Sequence, residues 1–296
     1  MQTPHPTRRT AALAFTALAL GACGRGSGKG TGAARGSLEW AIAGDWRLDP
    51  ARDRWRHPLE TLRFWGIAGA QTVLELLPGR GWYTTILAPY LAAGGGALIA
   101  ASFDPRTASA AQRQTLADFD ARFQRESLFG HIQRSVVSAG AAPAPAGSVD
   151  LAILANNVHT LMAEGIVERV FAEVFEALKP GGVFGVEQHR AASTGLQDPL
   201  AGAGYVQEAY VKKLAQEAGF EFMAANDINS NPRDTREHPF GVWTLPPVLR
   251  SSPLGQPDNP RFDKRPFEAI GESDRMTLKF RRPMAGQAHP PVPAAP

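Results

Sequence analysis

Glu75 is the first residue of the chain whose position suggests chemistry, because it lies in the β-rich run Thr72–Leu77, just before a turn-forming stretch. Gly79 and Gly81 in that stretch allow a tight turn and let a ligand approach backbone N–H groups at a helix start. Thr84 stands where a dinucleotide-binding fingerprint has its third glycine, so a pyrophosphate site is not predicted. The residues that we expect around the ligand are Glu75, Pro78, Gly79, Gly81, Trp82 and Tyr83.

Polar residues also follow three later apolar runs. Asp104 comes shortly after the first of them, where its carboxylate could accept hydrogen bonds from ribose hydroxyls or instead cap a turn. Asn156–Asn157 and His159 follow the next run, and Glu187 and His189 lie at the end of the last one. Ligands of an open parallel sheet bind beyond the carboxyl ends of its strands, so we expect these side chains at one edge. Histidine and glutamate could transfer protons there, although a histidine can also serve the fold alone.

The elements that must position these residues alternate between strands and helices. Continuous apolar or β-branched runs predict strands over Thr72–Leu77, Ala97–Ala101, Ile132–Ser138, Val149–Leu154, Val183–Glu187, Phe220–Ile228 and Arg275–Arg281. Helical spacing of apolar residues predicts helices over Trp82–Leu91, Ala110–Phe129, Glu164–Leu178 and Val206–Ala218. This alternation predicts an α/β fold with a mostly parallel sheet that is covered by helices on both faces.

A long Pro-rich segment, Asn229–Asp274, separates the last two predicted strands. It holds few periodic stretches and is long for a loop inside a compact domain, so it is either a lid or a surface excursion without a role. Its content of His238, Phe240 and Trp243 favours a lid. We therefore predict that this insertion folds over the carboxyl edge of the sheet.

The order of these motifs resembles a bacterial group of predicted class I S-adenosylmethionine (SAM)-dependent methyltransferases, many of which have export signals. The motifs are Pro-Gly-x-Gly-Trp-Tyr-Thr at 78–84, Asn-Val-His at 157–159, Leu-Lys-Pro-Gly-Gly at 178–182, His-Arg at 189–190, Gly-Tyr-Val at 204–206 and Gly-Glu-Ser-Asp-Arg at 271–275. The resemblance extends from about Trp65 to Phe280. Two departures are Leu77, which occupies the first glycine position of the general motif, and Asp104, which lies later than the usual acid.

The resemblance implies a Rossmann-like class I methyltransferase fold with SAM as cofactor and a small molecule of unknown identity as methyl acceptor. It places the methionine part of SAM at 79–83 with Glu75 in support, the ribose at Asp104, and Asn156 and Asn157 at the edge of the donor pocket. The candidate bases that it implies are His159, Glu187 and His189. It also implies that the insertion closes over the acceptor with Asp234, His238 and Trp243.

The alternative hypothesis is that the protein has the methyltransferase scaffold but is not catalytic and only binds a nucleoside-type small molecule. SAM is made in the cytoplasm, so an exported member would have to carry it out bound, take another ligand, or act only by binding. A hydrolase of the α/β type is not expected, because the sequence has no Gly-x-Ser-x-Gly elbow.

The N-terminus has the pattern of an export signal. Arg8-Arg9 precede a short apolar run, Ala11–Leu20, and the sequence then reads Gly-Ala-Cys up to Cys23, which resembles a bacterial lipobox. We therefore expect residues 1–23 to be a signal peptide and Cys23 to be lipidated, so that the protein is membrane-anchored on the periplasmic side. The paired arginines also resemble a twin-arginine signal, and the export route stays open. We expect 24–37 to be a flexible linker, 38–283 the methyltransferase-like domain, and 284–296 a disordered tail.

The cysteine count and the charge exclude further classes of function. Cys23 is the single cysteine, so the chain can form no intramolecular disulfide and has no cysteine nucleophile in its body. Without the five basic residues of the first 37 positions, the 31 basic residues fall to 26 against 28 acidic ones. The body is therefore slightly acidic, so the high isoelectric point does not predict nucleic-acid binding. No thiolate metal site is expected either.

Overall fold

The computed structural model describes residues 32–138 and 142–284, together with Met1 and Gly286. The predicted signal peptide, the lipidation site Cys23, most of the linker and most of the tail lie outside the described residues. The described residues from Gly32 onwards belong to one compact unit.

Seven strands form one sheet whose order is β3-β2-β1-β4-β5-β8-β6. The strands are β1 (Thr72–Leu76), β2 (Ala97–Phe103), β3 (Ile132–Val137), β4 (Val149–Ala155), β5 (Leu178–His189), β6 (Glu221–Asn226) and β8 (Arg275–Arg281), with a short β7 (Pro239–Val242) outside the sheet. The first five strands pair in parallel, and β8 is antiparallel to both of its neighbours. The predicted α/β fold, with its mostly parallel sheet and its long insertion before the last strand, is confirmed.

The helices connect these strands and cover the sheet. They are α1 (Leu38–Ile42), α2 (Asp53–Arg56), α3 (Pro58–Trp65), α4 (Thr84–Gly94), α5 (Ala110–Arg122), α6 (Glu126–Phe129), α7 (Val158–Ala163), α8 (Val167–Ala177), α9 (Glu208–Glu217) and α10 (Arg265–Ile270), and a 3₁₀ turn spans Pro50–Arg52. None of the helices in the described part of the chain is long and apolar enough to cross a membrane.

The alternation of side chains along β1 shows how the sheet divides the core. Leu74 belongs to a cluster with residues of α8 and α9, whereas the neighbouring Val73 belongs to a cluster with residues of α3 and α4. Successive side chains of a strand point to opposite faces, so an uninterrupted apolar run indicates burial on both sides. The carboxyl ends of β1 and β4 are therefore held side by side between two packed layers.

Three helices that precede β1 were not predicted. Ser37, which we assigned to the linker, caps α1 by accepting a hydrogen bond from the Trp40 N–H at 3.1 Å. Trp65 ends α3 in full burial, and its indole N–H donates to the carbonyl of Leu278 at 3.0 Å. The segment from α1 to α3 is thus an integral part of the domain and brings new residues to the carboxyl edge of the sheet.

Two predicted helix boundaries were wrong. The predicted helix over Ala110–Phe129 is divided into α5 and α6, because the chain leaves helical geometry at Phe123–Arg125. The predicted helix end at Leu178 is the first residue of β5, which continues through the Pro-Gly-Gly stretch. Gly181 pairs there with the segment after β8, since its N–H donates to the carbonyl of Arg282 at 2.8 Å.

Candidate active site

The backbone turns sharply at the carboxyl ends of β1 and β4. Leu77 and Asn156, which follow these strands directly, have φ values of +49° and +55° although neither is a glycine. Each is held by a 2.7 Å backbone hydrogen bond, Leu77 to the carbonyl of Ala101 and Asn156 to that of Glu187. Left-handed backbone at non-glycine residues is costly and is concentrated at ligand sites. The two turns open a crevice between the strand ends.

A first cavity of about 470 Å³ lies in this crevice. Its wall is formed by the end of β1 and the following turn, the end of β4, and covering residues that include Asp49 and Pro247. Seven of the residues predicted to bind the cofactor line it: Glu75, Pro78, Gly79, Trp82, Tyr83, Asn156 and Asn157. Seven of the nine residues predicted for the cofactor site therefore line this cavity, whereas Gly81 and Asp104 do not.

The two glycines of the turn have different roles. Gly79 lines the first cavity with a φ of +58°, and a Cβ placed there would meet no atom within 4 Å. A Cβ at Gly81 would lie 2.4 Å from the ring of Phe123 and 3.3 Å from that of Phe119, so this glycine allows close packing against α5 and the residue that follows it. Both glycines were predicted to give a ligand access to the backbone; of the two, only Gly79 lines the first cavity.

Glu75 is buried at the base of the first cavity. Its carboxylate accepts a hydrogen bond from the Thr84 hydroxyl at 2.6 Å, which ties the strand end to the first turn of α4. Burial raises the pKa of Glu75 to about 7, although the Thr84 hydrogen bonds oppose this shift. The carboxyl group is thus poised between its neutral and ionised forms at neutral pH.

Asp104 directly follows β2, but its carboxylate is engaged by its own turn. The oxygens accept hydrogen bonds from the backbone N–H of Arg106 at 2.9 Å and from its guanidinium at 2.6–3.1 Å. These hydrogen bonds lower the pKa of Asp104. The structure shows the turn-capping arrangement, which we considered as the alternative to ribose binding.

A second cavity of about 330 Å³ adjoins the first. The two cavities share wall residues, which are Arg52, Arg56, Asn156, Asn157 and Pro247. His159 and His189, two of the predicted bases, line only the second cavity, and their ring centroids are 5.5 Å apart. The ring of Trp243 lies 5.8 Å from that of His159. Two connected chambers, one of them with paired imidazoles, can hold two reactants side by side.

Each of the two imidazoles is held in place through its own Nδ1 atom. The Nδ1 atom of His159 lies 3.2 Å from the amide nitrogen of Gln188, and Nδ1 of His189 lies 2.6 Å from the Ser273 hydroxyl. Burial lowers the pKa of His159 to about 4 and, together with the charge of His159, lowers that of His189 well below its ordinary value. Both rings are therefore neutral at neutral pH, as a proton acceptor must be.

Glu187, the third predicted base, lines neither cavity and is fully buried. It accepts hydrogen bonds from the Tyr83 hydroxyl at 2.8 Å and from the Asn156 amide at 3.3 Å, and Nε of Arg275 lies 2.9 Å away. Burial raises the pKa of Tyr83 well above its ordinary value, so the phenol stays protonated and can donate. Glu187 thus contacts two residues that line the first cavity but reaches neither cavity itself.

An arginine cluster that was not predicted from the sequence lies on the wall between the two cavities. Glu272 accepts hydrogen bonds from Nε of Arg52 at 2.6 Å, Nε of Arg56 at 2.9 Å and Nη1 of Arg275 at 2.6 Å. Burial raises the pKa of Glu272, but the charges of Arg56 and Arg275 outweigh burial and hold it below the ordinary range. The spacing of Arg52 and Arg56 around Trp55 was a possible signal, but it lies outside the resembling region.

The insertion reaches the carboxyl edge of the sheet, as predicted. Residues 242–248 line the second cavity except for Thr244, and Trp243 is among them. Asp234 and His238, which we expected to close over the acceptor, line neither cavity. Asp234 instead accepts hydrogen bonds from the Tyr205 hydroxyl at 3.0 Å and the Asp274 N–H at 2.8 Å, and His238 lies 2.8 Å from it. These residues anchor the insertion, and Trp243 covers the site.

No protein-family model and no curated protein matches this chain. Solved structures do match. The crystal structure of the [4+2]-cyclase SpnF has a TM-score of 0.56 at 17% identity, covering 82% of this chain and 86% of that one. A SAM-dependent methyltransferase from Aquifex aeolicus has a TM-score of 0.50 at 17% identity, covering 61% and 88%. At this identity the likeness concerns the fold alone. The chain therefore has the Rossmann-like fold of the class I SAM-dependent methyltransferases.

Proposed function

We propose that the protein is a SAM-dependent methyltransferase that binds the methyl donor in the first cavity and the acceptor in the second. The observation that carries this proposal is the pair of adjoining cavities at the carboxyl ends of β1 and β4, with Asn156 and Asn157 in both walls. Ligands of open α/β sheets bind at this edge. The likeness to a SAM-dependent methyltransferase of the same fold supports the choice of donor.

The residues of the first cavity fit the methionine end of SAM, which carries an ammonium and a carboxylate. The side-chain oxygen of Asn156 is buried and has no hydrogen-bond partner in the described part of the chain, so it can accept from the ammonium together with Glu75. The backbone N–H groups of Gly79 and Arg80 donate to no described residue and can hold the carboxylate. SAM would supply a methyl group on a sulfonium, which is reactive without activation by the protein.

The contribution of the chain to such a transfer is mainly positioning. Two reactants held in adjoining chambers meet in a fixed geometry. The entropy cost of bringing them together is then met on binding and no longer slows the chemical step. Trp243 and Pro247 cover the second cavity and reduce its exposure to water. His159 and His189 each keep Nε2 without a partner in the described part of the chain, so either can take a proton from the acceptor.

Calorimetric titration of the purified protein with SAM and with S-adenosylhomocysteine tests the donor site. We expect both to bind at one site per chain, and Gly79→Val to weaken both because a side chain there enters the cavity. Thermal unfolding of the variant should be recorded beside the titration, since Gly79 has a positive φ. Absence of heat with both compounds, at concentrations up to millimolar, would contradict the proposal.

The second candidate is a protein that uses the same scaffold without methyl transfer. It is favoured by the likeness to SpnF, a cyclase, because the same fold then serves a different reaction. Release of S-adenosylhomocysteine from SAM separates the two candidates. A protein that binds SAM but forms no S-adenosylhomocysteine with any acceptor would support this second role.

We also propose that the domain is exported and anchored to a bacterial membrane through a lipid on Cys23. The support is the lipobox-like ending of the apolar run in the sequence. In the native host, Cys23→Ala should move the protein out of the membrane fraction or leave it unprocessed. A wild-type mass spectrum that shows an unmodified chain beginning at Met1 would overturn this proposal.

A further inference from the structure

We infer that the acceptor in the second cavity is a small carboxylic acid with a flat apolar body and a hydroxyl group, whose carboxylate is held by Arg52 and Arg56. This inference rests on the proposed function and names the substrate class of the same site. It is carried by the free hydrogen-bonding capacity of the two guanidiniums, by the charge of the network around them, and by the shape and lining of the cavity.

The two arginines are fixed in place but not saturated. Each uses only Nε to donate to Glu272, and within the described part of the chain their terminal nitrogens make no hydrogen bond. Both side chains line both cavities, and they are 19% and 12% exposed. A guanidinium held by one edge presents its remaining N–H groups as a fork, which matches the geometry of a carboxylate. The wall therefore offers a preformed carboxylate site.

The charge of the buried network also favours an anion. Arg52, Arg56 and Arg275 contribute three positive charges, and Glu187 and Glu272 contribute two negative ones. The two histidines add no charge at neutral pH, and a bound sulfonium would add one more positive charge. A carboxylate compensates this excess, whereas an ammonium group would be repelled in an environment with little water to screen it.

Part of the lining of the second cavity is apolar. Trp243, Leu245, Pro246, Pro247 and Val248 of the insertion form it. The rings of Trp243 and His159 meet edge to face with their centroids 5.8 Å apart, so an apolar ring or chain has flat surfaces to pack against. The volume of about 330 Å³ admits a molecule with roughly the size of a substituted benzoate.

The paired histidines can accept the proton of an acceptor hydroxyl group. In the transfer, the hydroxyl oxygen of the acid forms a bond to the methyl carbon while the bond from that carbon to sulfur breaks. The electron pair of the broken bond stays on sulfur, which leaves as the neutral thioether. The hydroxyl proton goes to Nε2 of His159 or His189. The products are a methyl ether that keeps its carboxylate, S-adenosylhomocysteine and an imidazolium, which loses its proton to water.

Calorimetry in the presence of saturating S-adenosylhomocysteine tests the inference without requiring turnover. The probes are 4-hydroxybenzoate, 4-hydroxycinnamate, the neutral 4-hydroxybenzamide, the cationic 4-hydroxybenzylamine and 4-hydroxyphenyl phosphate. We expect at least one acid to bind tenfold or more tightly than the amide, and the amine not to bind. Arg56→Lys, which keeps the charge but loses the fork, should remove most of this preference. Arg261→Gln at an exposed position is the matched control and should leave the preference unchanged.

The outcomes distinguish this inference from the proposed function. If S-adenosylhomocysteine does not bind, the proposed function fails. If it binds and neither acid is preferred to the amide, or the amine binds better, the carboxylate inference fails while the proposed function stands. Tighter binding of the phosphate than of both acids would overturn the assignment of a carboxylic acid. An acid preference that survives in Arg56→Lys would overturn the role of the guanidinium fork.

Discussion

At the scale of single residues, burial shifts the pKa of several ionisable side chains that line the two cavities. Glu75 shows this most clearly, because its folded pKa is about 7 while the ordinary value is 4.5. A carboxyl group whose pKa is raised by folding stabilises the native state below its unfolded pKa, and this contribution is lost as the pH rises through 7. The loss amounts to about 3 kcal/mol.

Glu75→Gln should therefore flatten the pH dependence of stability. The free energy of unfolding of the wild type, measured by urea denaturation, should be larger at pH 5 than at pH 8.5. The variant should lack this component, because glutamine can accept the Thr84 hydrogen bond at every pH. The difference between the two proteins isolates Glu75 from the other titrating groups. Parallel curves would show that Glu75 keeps an ordinary pKa.

The imidazoles of the second cavity lead to a kinetic prediction. With an acceptor that must lose a proton, His159→Asn or His189→Asn should lower kcat by about a hundredfold or more, whichever ring is the base, with a smaller effect on KM. The exposed His131 is the matched control, and His131→Asn should leave kcat unchanged. Because burial lowers the pKa of His159 to about 4, protonation of this ring should not reduce the wild-type kcat between pH 8 and pH 5. Wild-type rates in both histidine variants would make the rings structural.

At the scale of secondary structure elements, β8 links the sheet to the arginine cluster. Arg275 at its start is fully buried between Glu187 and Glu272, whereas Arg281 at its end forms a half-exposed pair with Glu221. Removal of one partner from a buried ion pair leaves uncompensated charge and costs about 3–5 kcal/mol. An exposed pair contributes less than about 1 kcal/mol.

Two variants of this one strand test that difference. Arg275→Gln should reduce the free energy of unfolding several times more than Arg281→Gln, as measured by urea denaturation at pH 7 and low salt. High salt should diminish the small effect of Arg281→Gln more than the large one. Equal effects of the two substitutions would mean that the buried network does not hold the site together.

The elements also show what the sequence could and could not predict. The central strands β1, β2 and β4 were readable because their apolar runs are buried on both faces. The turn after β1 was readable because Gly79 follows a strand and precedes a helix. The helices before β1 are only four to eight residues long, too short for a periodic pattern to stand out.

The remaining site residues depend on long-range partners. The arginine cluster could not be predicted because Arg52 and its partner Glu272 are 220 positions apart in the sequence. Gly81 was given a ligand role because nothing local reveals that Phe123 fills the space beside it. Asp104 is an acid that follows a strand, and such a residue can either bind ribose or cap a local turn. Its residue type and position do not reveal that Arg106 engages its carboxylate.

At the scale of the whole molecule, two segments distant in sequence cover the carboxyl edge of the sheet. Residues from the 3₁₀ turn and α2 line both cavities, and 242–248 of the insertion supply much of the second wall. Glu272 connects them, since it lies at the end of the insertion and binds Arg52 and Arg56. Segments that cover a binding site in this way lose mobility when the ligand binds.

Hydrogen exchange should report this coupling. On saturation with S-adenosylhomocysteine, the backbone amides of 49–56 and 242–248 should exchange more slowly. The effect should be larger in 49–56, which supplies more of the lining of the first cavity. The exposed stretch 259–263, which lines neither cavity, is the internal control and should not change. Protection confined to residues outside both covering segments would contradict the placement of the ligand.

A crystal structure of the protein with S-adenosylhomocysteine would show directly whether the first cavity is the donor site. We expect the ligand in this cavity, with its amino acid end between Glu75, Gly79 and Asn156 and its sulfur facing the second cavity. A ligand bound elsewhere on the molecule, or crystals grown with excess ligand in which the first cavity holds only solvent, would contradict the proposed donor site.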